Sequence, residues 1–166
     1  MKKRILSILL LCCMVLTMLP TTVLAADGPM DTIPKYDVSI DVYNRTSDIS
    51  IKDSRSYYIY SSVPDKLRDT WAWDKKIFIK GDKTAPHVFI DGVHIEMSPS
   101  SKGPAIELNK KASAYLYFIG KDSTLQGADG RAAIQKNRSE GQLYVLARTG
   151  TTVTCKGGYR AAGTGG

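Results

Sequence analysis

Cysteine is scarce here, and its placement excludes one whole class of small secreted folds. Cys12 and Cys13 fall inside an N-terminal apolar run, leaving Cys155 alone in the rest of the chain. No intrachain disulfide can form without the first two, so the fold must be held by its core. Cys155 alternates with Thr154 and shares a side with Val153, which reads as a small buried apolar position. Histidine occurs only as His87 and His94, with no zinc-like partners nearby in sequence, and both read as surface residues. Charge of one sign is also missing as a block. Of the net +7, Lys2, Lys3 and Arg4 supply three, and the remaining +4 is scattered. That balance tolerates acidic polymers such as pectin or anionic cell-wall material, but it lacks the basic stripe of a nucleic-acid binder. From residue 87 on no stretch has a 3.6-residue apolar period, so helices are not expected in that part of the chain.

One apolar run stands out. Ile5–Leu19 follows the three basic residues, is interrupted only by Ser7 and Thr17, and ends at Pro20. Val23-Leu24-Ala25 before Ala26 fits a small-residue cleavage site, so residues 1–26 read as a signal peptide. The run is shorter than the roughly 20 residues a spanning helix needs, so no membrane association is expected after cleavage. Residues 27–36, with Pro29 and Pro34, read as a linker, and 37–166 as one domain. Val38, Ile40 and Val42 alternate with polar residues as a strand does. Ile49 with Ile51, Tyr57 to Tyr60 and Ile77 to Ile79 give further short strands. Residues 62–74 break the pattern as a loop or a single helical turn begun by Pro64 and Asp65.

From His87 onward a block of about 28 residues recurs. His87 to Gly92 is echoed by Tyr115 to Gly120 and again by Gln142 to Ala147, while Pro104-Ala105-Ile106 returns as Ala132-Ala133-Ile134. Constant spacing without helices points to an all-β solenoid, a right-handed parallel β-helix, in which equivalent strands lie side by side. A β-sandwich is the alternative, but it does not need a repeat of fixed length. On this reading Val88, Leu116 and Leu143 form one inward column, and Ile90, Phe118 and Val145 the next. Phe89, Tyr117 and Tyr144 then form an outward ladder, flanked by His87, Tyr115 and Gln142 on one side and by Asp91, Ile119 and Leu146 on the other. A second short strand follows in the later copies, ending in Leu125 or Val153.

Several of these motifs resemble a family. Asp91-Gly92-Val93-His94-Ile95, Pro104-Ala105-Ile106, Thr124-Leu125-Gln126-Gly127, Ala132-Ala133-Ile134 and Ala161-Ala162-Gly163 are similar to repeats of secreted clostridial and gut-bacterial carbohydrate-binding-domain proteins. The resemblance covers about residues 48–166. It implies a pectate-lyase-like β-helix that binds plant polysaccharide, in some members with calcium. The chain stops at Gly165-Gly166 in mid-motif, which reads as a coil stack cut short.

The expected function is therefore a secreted or cell-surface, non-catalytic polysaccharide- or cell-wall-glycan-binding module. The candidate contacts are Phe89, Tyr117, Tyr144 and Tyr115, with Trp71 and Trp73 as secondary ones. Exposed aromatic strips are contact surfaces, and rings pack on the apolar faces of sugars. The alternative is a stalk or adhesin-type segment; a polysaccharide lyase or hydrolase ranks last. Asp91, Asp122, Asp129, Glu96 and Glu107 give no paired acids, so no catalytic residues are assigned. Turn aspartates could hold calcium, but no ligand loop is recognisable, so no cofactor is expected.

Overall fold

Short alternating segments rich in isoleucine, valine and tyrosine, separated by glycine and polar corners, give thirteen short strands and one 3₁₀ turn among the described residues. The structure, a computed structural model, describes residues 34–101, 103–109, 111–137 and 140–165. The signal-peptide segment and residues 27–33 of the linker lie outside these residues.

All pairing is parallel, and the strands fall into three sheets. The first stacks β1 (Val38–Asp41), β3 (Ser56–Tyr60), β5 (His87–Asp91), β8 (Ala114–Ile119) and β11 (Leu143–Ala147). The second stacks β2 (Ile49–Ile51), β4 (Ile77–Lys80), β7 (Ile106–Asn109), β10 (Ile134–Lys136) and β13 (Thr164–Gly165). The third stacks β6 (His94–Glu96), β9 (Ser123–Gln126) and β12 (Val153–Lys156). From β5 on, the chain visits the first, third and second sheets in turn and then starts again one layer along. This is a β-solenoid of about 4 turns, a right-handed parallel β-helix. Parallel strands joined through a crossover take that hand almost without exception.

Inward side chains stack in aliphatic columns. Val38, Tyr57, Val88, Leu116 and Val145 make one, and Ile40, Ile59, Ile90, Phe118 and Ala147 another. The second sheet adds Ile49, Ile77, Ile106 and Ile134, and the third Ile95, Leu125 and Cys155. Each fully buried member contributes about 1.5–3 kcal/mol of hydrophobic stabilisation. The corners after β5 and β8 need left-handed backbone, which Gly92 (φ 61°) and Gly120 (φ 66°) supply without a Cβ clash.

The register of the last coil corrects the expected columns. Leu116 pairs with Val145, not Leu143, and Phe118 with Ala147, not Val145. Leu125 likewise pairs with Cys155 rather than Val153. The last coil is thus set two residues further along than the motif spacing indicates. A slip of two leaves every side chain on its own face, because strand side chains alternate with period two. The inward assignment of Leu143 and Val145 therefore stands while their neighbours change.

The first two coils are irregular. The first has no strand in the third sheet, and the second contributes only a parallel bridge from Trp73 to Ile95. Residues 62–74 contain the single turn that Pro64 and Asp65 foreshadow, a 3₁₀ turn at Asp65–Leu67.

Candidate functional site: the aromatic wall of the first sheet

Because the strands are parallel and in register, like positions of successive coils lie about 4.8 Å apart. Rings at such positions must stack. On the outer face of the first sheet His87, Tyr115 and Tyr144 form one column, with centroids 4.7 and 4.6 Å apart and planes within 8° and 4°. Beside it run Tyr58, Phe89, Tyr117 and Leu146, with Phe89 and Tyr117 5.1 Å apart. Tyr36 and Tyr60 stack on Tyr58, each at 5.2 Å. Stacked aromatic pairs add about 0.5–1.5 kcal/mol each beyond area burial.

The expected ladder of Phe89, Tyr117 and Tyr144 is corrected by this register. Tyr144 lies on Tyr115, and Leu146 takes the place beside Tyr117. Phe89 is buried, together with Tyr58 and Ile119, in a small cluster outside the main core, against which Tyr60 and Tyr117 pack. Within the columns the rings turn their faces to each other, so the wall presents ring edges, hydroxyls and an imidazole. Tyr115 and Tyr117 are half-buried and Tyr144 is 40 % exposed. The Tyr117 hydroxyl lies 3.2 Å from His87 Nδ1, and the Tyr144 hydroxyl donates to Gln142 Oε1. Burial, then neighbouring Tyr115, raises the Tyr117 pKa, so its hydroxyl keeps its proton beyond the ordinary tyrosine range. Tyr58 is held more firmly. Burial and its 2.7 Å hydrogen bond to Asp91 Oδ2 push its pKa well up.

Neither tryptophan joins the wall. Trp73 is 3 % exposed and donates from Nε1 to the Arg45 carbonyl at 2.9 Å, while its backbone bonds with His94 and Glu96 in the third sheet. Trp73, a candidate sugar contact, thus lies in the core and not on the wall. Trp71 is half-buried and meets Tyr43 edge-on at 5.3 Å. Sequence reading placed His87 beside the ladder but missed Tyr58 and Tyr60 as wall members. Their signal was available, since Tyr58 and Tyr60 alternate with the inward Tyr57 and Ile59.

The carboxylates serve another purpose. Asp91 Oδ1 accepts from the Lys121 N–H at 2.8 Å, Asp122 Oδ1 from the Thr152 N–H at 2.7 Å, and Asp129 Oδ1 from the Tyr159 N–H at 3.2 Å. Asp48 Oδ1 does the same for the Lys76 N–H at 3.1 Å, and Ser113 Oγ for the Gln142 N–H at 2.9 Å. Each oxygen satisfies a backbone donor one coil later, where the corner leaves the sheet ladder. Glu107 is tied to Lys76 and Asn137, both at 2.6 Å. His94 is half-buried; its burial, then the nearby Arg68, lowers its pKa. Among the described residues no three His, Cys, Asp or Glu side chains are grouped to hold a metal ion. Nor is any helix among them long and apolar enough to cross a membrane.

Compared with known proteins, the chain matches no family profile, no curated protein and no solved structure.

Proposed function

We propose that this chain is a secreted, non-catalytic polysaccharide-binding module whose contact surface is the wall around His87, Tyr115 and Tyr117, with Tyr144 at its rim. One observation carries the reading: two adjoining columns of stacked rings make a straight face edged with hydroxyls and an imidazole. Tyrosine offers large, stiff contact area with a polar tip, a combination suited to recognising molecules that are apolar in parts and hydroxylated in others. Ring edges and hydroxyls would meet the glycan, since the ring faces are engaged with one another. The contact is therefore mainly hydrogen bonding.

Retention of the full chain on a panel of insoluble polysaccharides tests this. Tyr115→Phe with Tyr117→Phe keeps the stacking and removes two hydroxyls. At about 0.5–1.5 kcal/mol per hydrogen bond, retention is expected to weaken by about tenfold. Gln135→Ala, on the second sheet, is expected to bind like wild type. Unchanged retention in the double variant removes this wall from the account.

A structural reading has its own support in the carboxylates, which link one coil to the next instead of converging on a substrate. A stalk or adhesin-type segment needs that and little else. Wild type that is retained by no polysaccharide favours it.

A further inference from the structure

The hydroxyls of the aromatic wall are limited in what they can offer a ligand. The Tyr144 hydroxyl donates to Gln142 Oε1, so its proton is committed within the chain. The Tyr117 hydroxyl lies 3.2 Å from His87 Nδ1, and burial, then neighbouring Tyr115, keeps its proton on. Toward a neutral imidazole it is therefore the donor, Nδ1 is the acceptor, and the ring proton of His87 sits on Nε2. Tyr58, in the same column as Tyr117, commits its proton to Asp91 Oδ2. What Tyr117 and Tyr144 have left is the lone pairs of their oxygens, which accept.

Charge points the same way. Neither the column from His87 through Tyr115 to Tyr144 nor that from Tyr58 through Phe89 and Tyr117 to Leu146 holds a carboxylate, ammonium or guanidinium group. Asp91 borders the second column, but its two oxygens are taken by the Tyr58 hydroxyl and the Lys121 N–H. The Lys121 ammonium in turn lies 3.4 Å from Asp65, and Arg55 is paired with Asp53 at 2.9 Å. An ionised carboxylate brings only acceptors to such a surface and leaves the lone pairs facing it unmatched, at a cost. A sugar hydroxyl brings a donor as well as an acceptor. We propose that the wall is specific for an uncharged, hydroxyl-rich polysaccharide and discriminates against polyuronates. This rests on the reading of the wall as the glycan surface and names the class of glycan it takes. It also sets the wall apart from the chain's scattered positive charge, which on its own tolerates acidic polymers.

Polygalacturonate and the same polymer with its carboxyls methyl-esterified differ at those groups alone, so the pair isolates the charge. Isothermal titration calorimetry of the full chain at neutral pH compares the two, beside hydroxyethylcellulose and galactomannan as uncharged polymers. The ester and at least one uncharged polymer are expected to bind, with little change as salt is raised. The free acid is expected to bind about tenfold more weakly, as for two hydrogen bonds left unmade. Tyr117→Phe with Tyr144→Phe keeps the rings and removes both accepting oxygens. It is expected to weaken the uncharged polymers by about tenfold, to leave polygalacturonate unchanged and so to erase the preference, with unchanged circular dichroism. Free acid bound as tightly as its ester, or more tightly, overturns the inference. The wall survives that result as a glycan surface if Tyr115→Phe with Tyr117→Phe weakens the binding. A preference that outlasts the loss of both oxygens also overturns it. Binding to none of the four polymers overturns both this inference and the reading beneath it.

Discussion

Gly120 and Gly130 both adopt left-handed backbone, at φ 66° and 70°, but their surroundings differ. A Cβ on Gly120 would run into the Asp91 carboxylate, whereas one on Gly130 would meet nothing within 4 Å. Gly130→Ala is therefore expected to cost about 1–2 kcal/mol for the backbone alone. Gly120→Ala is expected to cost more, because it also displaces the carboxylate that holds the Tyr58 hydroxyl and the Lys121 N–H. Urea unfolding of the two variants gives the order directly. Equal losses would mean that the Asp91 contacts add nothing. At this scale the sequence was only partly legible. Asp122 and Asp129 stand in corners, where aspartate is read as a local turn residue. Their actual partners lie 30 residues away in sequence, and only the stacking of coils brings them together.

Among the strands, alternation found the whole first sheet with β2 and β4, and told inside from outside in β5, β8 and β11, but β6, β7, β10 and β13 were not read as strands. Val38 to Asp41, Ile49 to Ile51, Ser56 to Tyr60 and Ile77 to Lys80 all form where branched and aromatic residues alternate. Register was harder. Gln142 to Ala147 looks like Tyr115 to Gly120 because both end in a small residue, yet Ala147 pairs with Phe118, in the register of an inward column though itself exposed. Ala147 is a narrow member of a column, and Gly120 is a corner. Single-sequence motifs do not distinguish those two uses of a small side chain. The corrected register has an energetic consequence. Leu116 and Val145 occupy the same column, but Leu116 is covered on both sides and Val145 on one. Leu116→Ala is expected to destabilise by about 2–5 kcal/mol. Val145→Ala is expected to cost about 1 kcal/mol or less, as for an exposed position. Chemical denaturation of the two variants at a concentration where the chain is monomeric checks the contrast. Comparable losses would show that Val145 is packed as deeply as Leu116.

For the molecule as a whole, stability rests on coil-to-coil packing joined by corner hydrogen bonds, and acid is the agent that should loosen the latter. Asp41, in the first coil, accepts from the Ser62 N–H at 3.0 Å and from the Ser62 hydroxyl in the second. Burial works against its charge, but the bonds from Ser62, Tyr43 and Asn44 prevail, and its pKa lies below the usual 3.8. A carboxyl lowered on folding stabilises above its unfolded pKa, and that contribution disappears as pH falls through the folded value. Wild type is thus expected to lose stability progressively below pH 3.8, with the first coil loosening, and Asp41→Asn to show a flatter acid limb. Thermal unfolding across pH 2–5, followed by circular dichroism, reads this out. Acid limbs that superimpose would place the acid sensitivity elsewhere.

The corner bonds also share an orientation. In those of Asp48, Asp91, Ser113, Asp122 and Asp129 the side-chain oxygen belongs to the earlier coil and the N–H to the later one. Ser123, which accepts from the upstream Val93 N–H, runs the opposite way. Most layers therefore find their polar anchor points already laid down by the layer before. A chain emerging amino-end first can be wound like thread onto a spool, each new loop seated on a finished rim.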